Sequence, residues 1–379
     1  KKFIKCYGTK QMKKALIHDW FSVYAGAEKC VESFTNIWDD FDIFIACPND
    51  EPYYYAWQNN KKVKGIHELI HRKFSLKKLF SLNSFIKKNQ ITILHSHGKG
   101  AGIYSRLLKI INPKLKIIHS LHGFNVQQYG KVKKKIYITI EKFLSLFTYQ
   151  FINVSFGEQN LCLNNKIFKP NKSKVIHNGI HKLIRLKDAK QKLNLQDKIV
   201  ISTISRFDLP KNMFMAYTIA KMFKDYNNII FLWIGDGPDK ELLERKAKEE
   251  KLNIYFTGFT KDIPFYLSAT DIYLSTSLWE GLPIALIEAQ SLGIPIVATD
   301  VVGNNEVNIN NLTGFLFKDE NEAFRQILKL INDNELYNQF SSNSIKYFEE
   351  NFEIIKMVQK IEEIYKMLWN KTNEKSPYS

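Results

Sequence analysis

Short apolar runs alternate with longer amphipathic stretches along nearly the whole chain, the pattern of βα units laid on parallel sheets. In the first half the runs predicted as strands are 14–18, 42–47, 91–95, 116–120 and 151–154, with helices expected over 26–37, 75–89 and 132–147. A polar, Lys-rich stretch follows, and the pattern then restarts with strands expected at 198–204, 229–234, 254–257, 272–275 and 294–298. The chain therefore reads as α/β with two Rossmann-like, doubly wound domains, over 12–185 and 196–350, joined by a linker near 180–195. A last helix over 351–370 either finishes the second domain or crosses back to brace the first.

Length and composition agree. A chain of 379 residues exceeds what one hydrophobic core usually organises. With 45% hydrophobic and 25% charged residues, it has ample apolar surface to bury and little cause for disorder. Cys6, Cys30, Cys47 and Cys162 show no paired spacing and read as small core residues in a reducing, cytoplasmic compartment. No apolar run reaches the roughly 20 residues needed to span a bilayer. Met12 opens a segment that runs straight into the first strand, so residues 1–11 read as a tag or upstream translation.

Charge divides the chain. Through Lys187 there are 33 basic and 11 acidic residues, a net of +22, whereas the remainder carries 22 and 27, a net of −5. The basic half suggests an anionic partner: a membrane surface, a phosphate-bearing acceptor or nucleic acid. A plain solvated Lys-rich surface is the alternative. Two stretches, 74–88 and 131–147, interleave Lys with Phe, Leu and Ile as interfacial helices do. Both also fit helices packed on a sheet with a basic outer face, and for the second this is the favoured reading.

In open α/β sheets ligands bind beyond the carboxyl ends of the strands, so candidate chemistry belongs in strand-to-helix loops. The segment LWEGLPIALIEAQSLGIPIVATD places Glu280 before a predicted helix and Glu288 inside it, with Pro283 in its first turn and Gly293 at its C-terminal end. The amides from Gly281 and Leu282 through Pro283 to Ile284 would form a positive helix end suited to a diphosphate, Pro283 itself lending no N–H. A carboxylate such as Glu288 can accept both hydroxyls of a ribose, and Glu280 can reach sugar hydroxyls.

This segment resembles the E-x7-E signature of the retaining GT-B glycosyltransferases of family 4, and other motifs agree in order along nearly the whole chain. STISRFDLPKN resembles the family's diphosphate-binding Arg and Lys, here Arg206 and Lys211; LWIGDGPDK its Gly-rich turn, here Gly235 and Gly237; VIHNGI the turn that ends the first domain. The resemblance implies a GT-B fold whose two domains face a cleft, with donor on the second domain and acceptor on the first. It further implies retaining transfer of a hexose or N-acetylhexosamine from a nucleotide diphosphate sugar to a saccharide or lipid-linked acceptor in bacterial surface glycan synthesis. Fixed cations stabilise the charge developing on a leaving diphosphate, so Arg206 and Lys211 are expected to serve in place of a metal or cofactor. Asp39-Asp40-Phe41-Asp42 has the letters of a metal-binding carboxylate motif but precedes a strand, where a solvated turn fits better.

Gly235, Asp236 and Gly258 are expected to line the nucleotide site, although a lone Gly-x-Gly usually marks only a tight turn. HDWFSVYAGAEK resembles the family's glycine loop, with Ala25 where a first glycine is typical; Gly26 is then assigned to the donor and Glu28 to the acceptor side. His122 matches a family histidine that touches the donor sugar. His95 and His97 end an earlier strand on the acceptor side, and the histidines show no zinc spacing. The expected partners are a nucleotide-sugar donor, a saccharide or lipid-linked acceptor and a peripheral contact with the anionic inner face of the cell membrane, with nucleic acid disfavoured. Two other readings stand beside this one: a nucleotide-sugar epimerase of the same architecture, and a basic surface-binding protein with a vestigial donor site.

Overall fold

The computed structural model describes residues 12–18, 31, 41–45, 74–124, 126 and 129–373. Gly26, Glu28, Cys6, Cys30, Cys47, the Asp39–Asp40 pair and most of the helix expected over 26–37 lie outside them.

The chain divides into two compact units. The first takes residues up to Val154, then Gln159–Ile176 and the chain from Val358 onward; the second takes Ser155–Glu158 and His177–Met357. The change of unit thus falls at Ile176/His177, ahead of the expected linker, and a short helix, Ala189–Lys192, occupies that linker. The last helix, Ile354–Asn373, starts in the second unit and belongs from Val358 to the first.

In the first unit six parallel strands, β1 (Lys14–His18), β2 (Phe41–Ile45), β3 (Ile93–His97), β4 (Lys116–Ser120), β5 (Gln150–Asn153) and β6 (Ser173–Val175), lie in the order β2-β1-β3-β4-β5-β6. Asp42 is therefore inside a strand. The expected strand 91–95 is displaced by two residues, because the polar-looking His95-Ser96-His97 continues β3 and is fully buried. Helix Leu76–Lys88 packs Leu79, Leu82 and Ile86 on Ile17, Leu94 and Ile117. Ser75 caps it, its hydroxyl accepting from the Lys78 amide at 3.4 Å.

The second unit repeats the plan with β7 (Ile199–Ile204), β8 (Ile229–Ile234), β9 (Ile254–Gly258), β10 (Ile272–Ser275), β11 (Ile296–Thr299) and β12 (Gly314–Phe317), ordered β12-β11-β10-β7-β8-β9. Helices on both faces bury these strands, which accounts for their near-continuous apolar sequences. Ile201, Trp233, Leu274, Val297 and Phe315 share one core with Met213, Leu243 and Phe340 from the helices. Consecutive strands run outward from β7 in one direction and from β10 in the other, so the strand order reverses between these two neighbours. Such a switch point is where the loops at the carboxyl ends diverge and leave a crevice.

Candidate functional site

Three loops of the second unit meet at that switch point. From β7 come Ser205–Asn212, including the 3-10 turn Leu209–Lys211; from β10 come Thr276–Pro283; from β11 comes the turn at Gly303. Backbone bonds fasten the first two together: the Leu278 amide donates to Pro210 O at 2.8 Å, and the Thr276 hydroxyl to Lys211 O at 3.0 Å. The third is held by the Glu280 amide donating to Val302 O at 3.2 Å, and Gly303, at φ +88°, lies so close that a Cβ would sit 2.9 Å from Gly281 O.

Glu280 is the junction of these loops. Its Oε1 accepts from Lys211 Nζ at 2.5 Å and from the Ser277 hydroxyl at 2.7 Å. Arg206 is not part of this group. Its guanidinium bonds the Asp208 carboxylate and is 60% exposed. The two cations expected to act together thus rest in separate ion pairs, each with its own acid, so a diphosphate arriving here would have to share or displace a carboxylate.

Helix Ile284–Ser291 begins just beyond Glu280, with Pro283 as its N-cap rather than inside the first turn. Its leading amides lack intrahelical acceptors by construction. Leu282 and Pro283 are buried and hold the helix start against the core, so they can contribute backbone but little side-chain surface to a ligand. Glu288, one turn in, is buried. Near both glutamates is Tyr273, whose hydroxyl donates to Ile204 O and accepts from Ile204 N, both at 3.1 Å. Burial first, then the charges of Glu288 and Glu280, push its ionisation well above the usual tyrosine range. Tyr273 joins β10 to the end of β7 beneath the site. Sequence reasoning passed over it because a tyrosine inside an apolar strand reads as core.

The Gly-rich turn after β8 is shaped by close approach. A Cβ on Gly235, at φ +139°, would lie 1.9 Å from Ser205 O, and one on Gly237 would lie 2.5 Å from Phe207 O. Both glycines let this turn press on the loop that carries Arg206, and Phe207 N donates to Asp236 O at 2.9 Å. The Asp236 side chain is exposed and accepts from the Gly237 amide. Gly258, at φ +71°, accepts from the Gly235 amide at 3.0 Å, linking the turn to β9. Gly179 of the VIHNGI turn serves packing: a Cβ there would be 2.9 Å from Ile354 Cα.

The first unit gathers four histidines, His18, His95, His97 and His122, near its own switch point between β1 and β3. His18 and His97 end these strands in register, with ring centroids 6.3 Å apart. His97 Nδ1 and His122 Nε2 share a hydrogen bond of 2.7 Å. His122 holds φ +53°, a left-handed turn that a non-glycine residue adopts only when its surroundings enforce it. Burial lowers the His122 pKa to about 4 and, with the His122 charge adding to it, the His95 pKa to about 3. Burial and the neighbouring imidazoles hold His97 well below the usual range too. His95, His97 and His122 are therefore neutral at pH 7 and can donate or accept hydrogen bonds without adding charge.

His95 departs from expectation. It is fully buried inside β3, bonded through Nδ1 to the Tyr365 hydroxyl at 2.7 Å and through Nε2 to the Ser120 hydroxyl at 2.9 Å, so both ring nitrogens are used by the fold. Among the described residues no group of three or more His, Cys, Asp or Glu is arranged to hold a metal ion.

The chain is similar to known proteins in sequence and fold. A family model described as glycosyltransferase family 4 matches residues 31–182, and one described as glycosyl transferases group 1 matches 166–347. The chain is 29% identical to the Escherichia coli UDP-Gal:alpha-D-GlcNAc-diphosphoundecaprenol alpha-1,3-galactosyltransferase, over 86% of this chain and 89% of that one. It is 27% identical to the O-antigen biosynthesis glycosyltransferase WbnH of Escherichia coli, over 87% and 94%. In fold it is similar to Anabaena HepE, crystallised with UDP and glucose, with a TM-score of 0.81 at 19% identity over 94% of this chain and all of that one. The two family models overlap at 166–182 and together span 31–347, the first taking in β2 to β6 and the second all of β7 to β12: the protein belongs to the GT-B glycosyltransferases of the family 4 type.

Proposed function

We propose that this glycosyltransferase moves a hexose from a uridine diphosphate sugar to a lipid-linked saccharide with retention of anomeric configuration, as a step in bacterial surface glycan synthesis, and that it needs no metal. The observation that carries the reading is the Lys211–Glu280 contact at the mouth of β7 and β10, beside the start of helix Ile284–Ser291. In this reading the donor diphosphate lies against Lys211, Arg206 and the free amides of the helix start, where cation and helix dipole together stabilise the charge left as the glycosidic bond breaks. Glu288 accepts the ribose hydroxyls, and Glu280 holds hydroxyls of the transferred sugar. His122, neutral and oriented by His97, can offer a hydrogen bond to a sugar hydroxyl. No side chain is assigned as nucleophile; positioning and fixed charge supply the rate.

The substrate class follows the relatives. The galactosyltransferase named above acts from UDP-Gal on a diphosphoundecaprenol-linked sugar, and HepE was crystallised with UDP. No helix among the described residues is long and apolar enough to cross a membrane, so a lipid-linked acceptor would be met by peripheral contact at the cytoplasmic face. The test is to incubate the chain with UDP-glucose, UDP-galactose and their N-acetyl forms, with and without a GlcNAc-diphospholipid, in the presence of chelator. The expected result is transfer with the anomeric configuration of the donor. A product of inverted configuration, or activity restored only by Mn²⁺ or Mg²⁺, would overturn the corresponding part. Isomerised nucleotide sugar with no transfer would favour an epimerase.

A further inference from the structure

The helix Lys131–Ser145 of the first unit has two apolar faces, and only one is covered by the described residues. Its inner face is fully engaged: Tyr137 and Ile138 pack on the cluster of Leu121, Phe124 and Phe151, and Glu141 takes both arms of Arg106 at 2.6 and 3.2 Å. On the opposite side Val132, Ile136, Ile140 and Phe143 are 73%, 54%, 45% and 52% exposed. At about 100° per residue these four fall within an arc of about 80°. Lys131, Lys135 and Lys142 line one flank of that arc and Lys133 the other, and all four are exposed. The sequence favoured a helix with a merely basic outer face; the outer face proves to be apolar between basic margins.

We propose that this face is a docking surface for an anionic lipid bilayer, with the apolar stripe entering the headgroup boundary and the lysines meeting acidic headgroups. The proposal rests on the reading of the acceptor as lipid-linked, and it assigns the surface by which the enzyme meets that acceptor. An apolar stripe bordered by Lys is the pattern of helices that lie in the plane of the membrane interface. Charge complementarity selects the occupant, because a second copy of the chain would bring lysine against lysine. Area points the same way: a stripe about 17 Å long and ~10 Å wide is far short of the roughly 800 Å² per partner that a stable dimer buries.

The experiment is flotation of the full chain with vesicles of phosphatidylcholine alone or with one third phosphatidylglycerol, at physiological salt. Binding is expected only to the anionic vesicles. Ile136→Asp with Phe143→Asp should weaken it by about tenfold or more, and Lys131→Glu with Lys135→Glu and Lys142→Glu by about tenfold. Ile184→Asp, at a still more exposed apolar residue of the second unit, should leave it unchanged. Far-UV circular dichroism and transfer to a water-soluble acceptor should be preserved in all of these variants, which separates loss of docking from loss of the enzyme. Equal binding to neutral vesicles would overturn the proposal. So would sensitivity to the lysine changes but not to Ile136→Asp with Phe143→Asp, since a bare anion such as nucleic acid would behave that way. A dimer in solution that the apolar substitutions dissociate would give the face to a second copy instead.

Discussion

Lys211 Nζ lies 2.5 Å from Glu280 Oε1, and this bond joins the loop after β7 to the loop after β10. The ammonium expected to meet the donor's diphosphate is thus already neutralised before any donor arrives. Glu280 in turn accepts from Ser277 at 2.7 Å, so its carboxylate stays oriented even when Lys211 turns away. In the proposed reading Glu280 competes with the departing diphosphate for Lys211, so product release should be easier than from a bare cation.

Substitution should separate the two partners. Lys211→Ala removes the countercharge and should lower kcat by about 10²–10³, with a small change in melting temperature, since both side chains are partly exposed. Glu280→Gln keeps an oxygen for Ser277 but frees the ammonium. UDP should then bind about tenfold more tightly while transfer slows. Calorimetric titration with UDP and steady-state rates measure both; weaker UDP binding in Glu280→Gln would refute the competition.

Glu288 is buried one turn into helix Ile284–Ser291, where a carboxylate can serve a ribose only through the side of the helix that faces the ligand. Glu288→Ala should raise the donor KM by about tenfold or more, in line with the roughly 1.5–3 kcal/mol carried by a hydrogen bond to a charged group. UDP should lose affinity in the same proportion, whereas free uracil should not. If UDP binds the variant as it binds the parent, the ribose lies elsewhere.

Much of this was legible in the sequence, and the exceptions have physical causes. β8 and β10 coincide with their predicted ranges because Ile229–Ile234 and Ile272–Ser275 are apolar runs ended by turn residues. β3 slipped because histidine and serine signal a loop, yet His95, Ser96 and His97 bury their polar atoms by bonding to Tyr365, His119 and His122. Those partners come from distant parts of the chain that no local window contains. β6 and β12, of three and four residues, are too short to show a period. Within the site, the motif order gave Glu280, Glu288, Arg206 and Lys211, but their pairing could not be read: the sequence sets Arg206 and Lys211 in one loop, and the fold gives each a different acid. Tyr273 was hidden by its apolar neighbours.

Gly235 offers a test of how the second unit shapes its loop. A Cβ at this position would meet Ser205 O at 1.9 Å on a backbone at φ +139°, so the turn after β8 or the loop bearing Arg206 must move. Strain of this kind costs on the order of 1–3 kcal/mol, and for a unit of this size each kcal/mol lowers the melting temperature by about 2–4 °C. Gly235→Ala should therefore lower the thermal midpoint by several degrees and weaken UDP binding. Gly130→Ala, where a Cβ meets nothing within 4 Å, is the control.

The buried pair in the first unit should be far more sensitive than its surface counterparts. Arg106 is fully buried, bonded to Glu141 and, through Nε, to Gly102 O at 2.7 Å. Glu141→Ala leaves a guanidinium without its counterion and should cost about 3–5 kcal/mol. The exposed pair Lys182–Glu349, with its shorter reach into solvent screening, should cost less than about 1 kcal/mol when Glu349→Ala breaks it. Chemical denaturation of the two variants gives the comparison, and equal losses would mean that the buried pair is not held as described.

The lowered histidines should give the first unit a pH response. An unfolded histidine titrates near 6.5, whereas His122 and His95 are lowered to about 4 and about 3 in the fold. Between those values the unfolded chain binds more protons than the folded one, so stability falls as pH falls. It is fully present above pH 6.5 and declines as the pH drops towards 4. Thermal midpoints should accordingly be flat from pH 7 to 8 and fall steadily from pH 6.5 to 4, and His122→Gln should flatten part of that slope because one of the neutral imidazoles is gone. His122→Gln should also slow transfer at pH 7, where the cluster is uncharged, without steepening the pH–rate profile. A slope that His122→Gln leaves untouched would mean that acid sensitivity arises from groups outside the cluster.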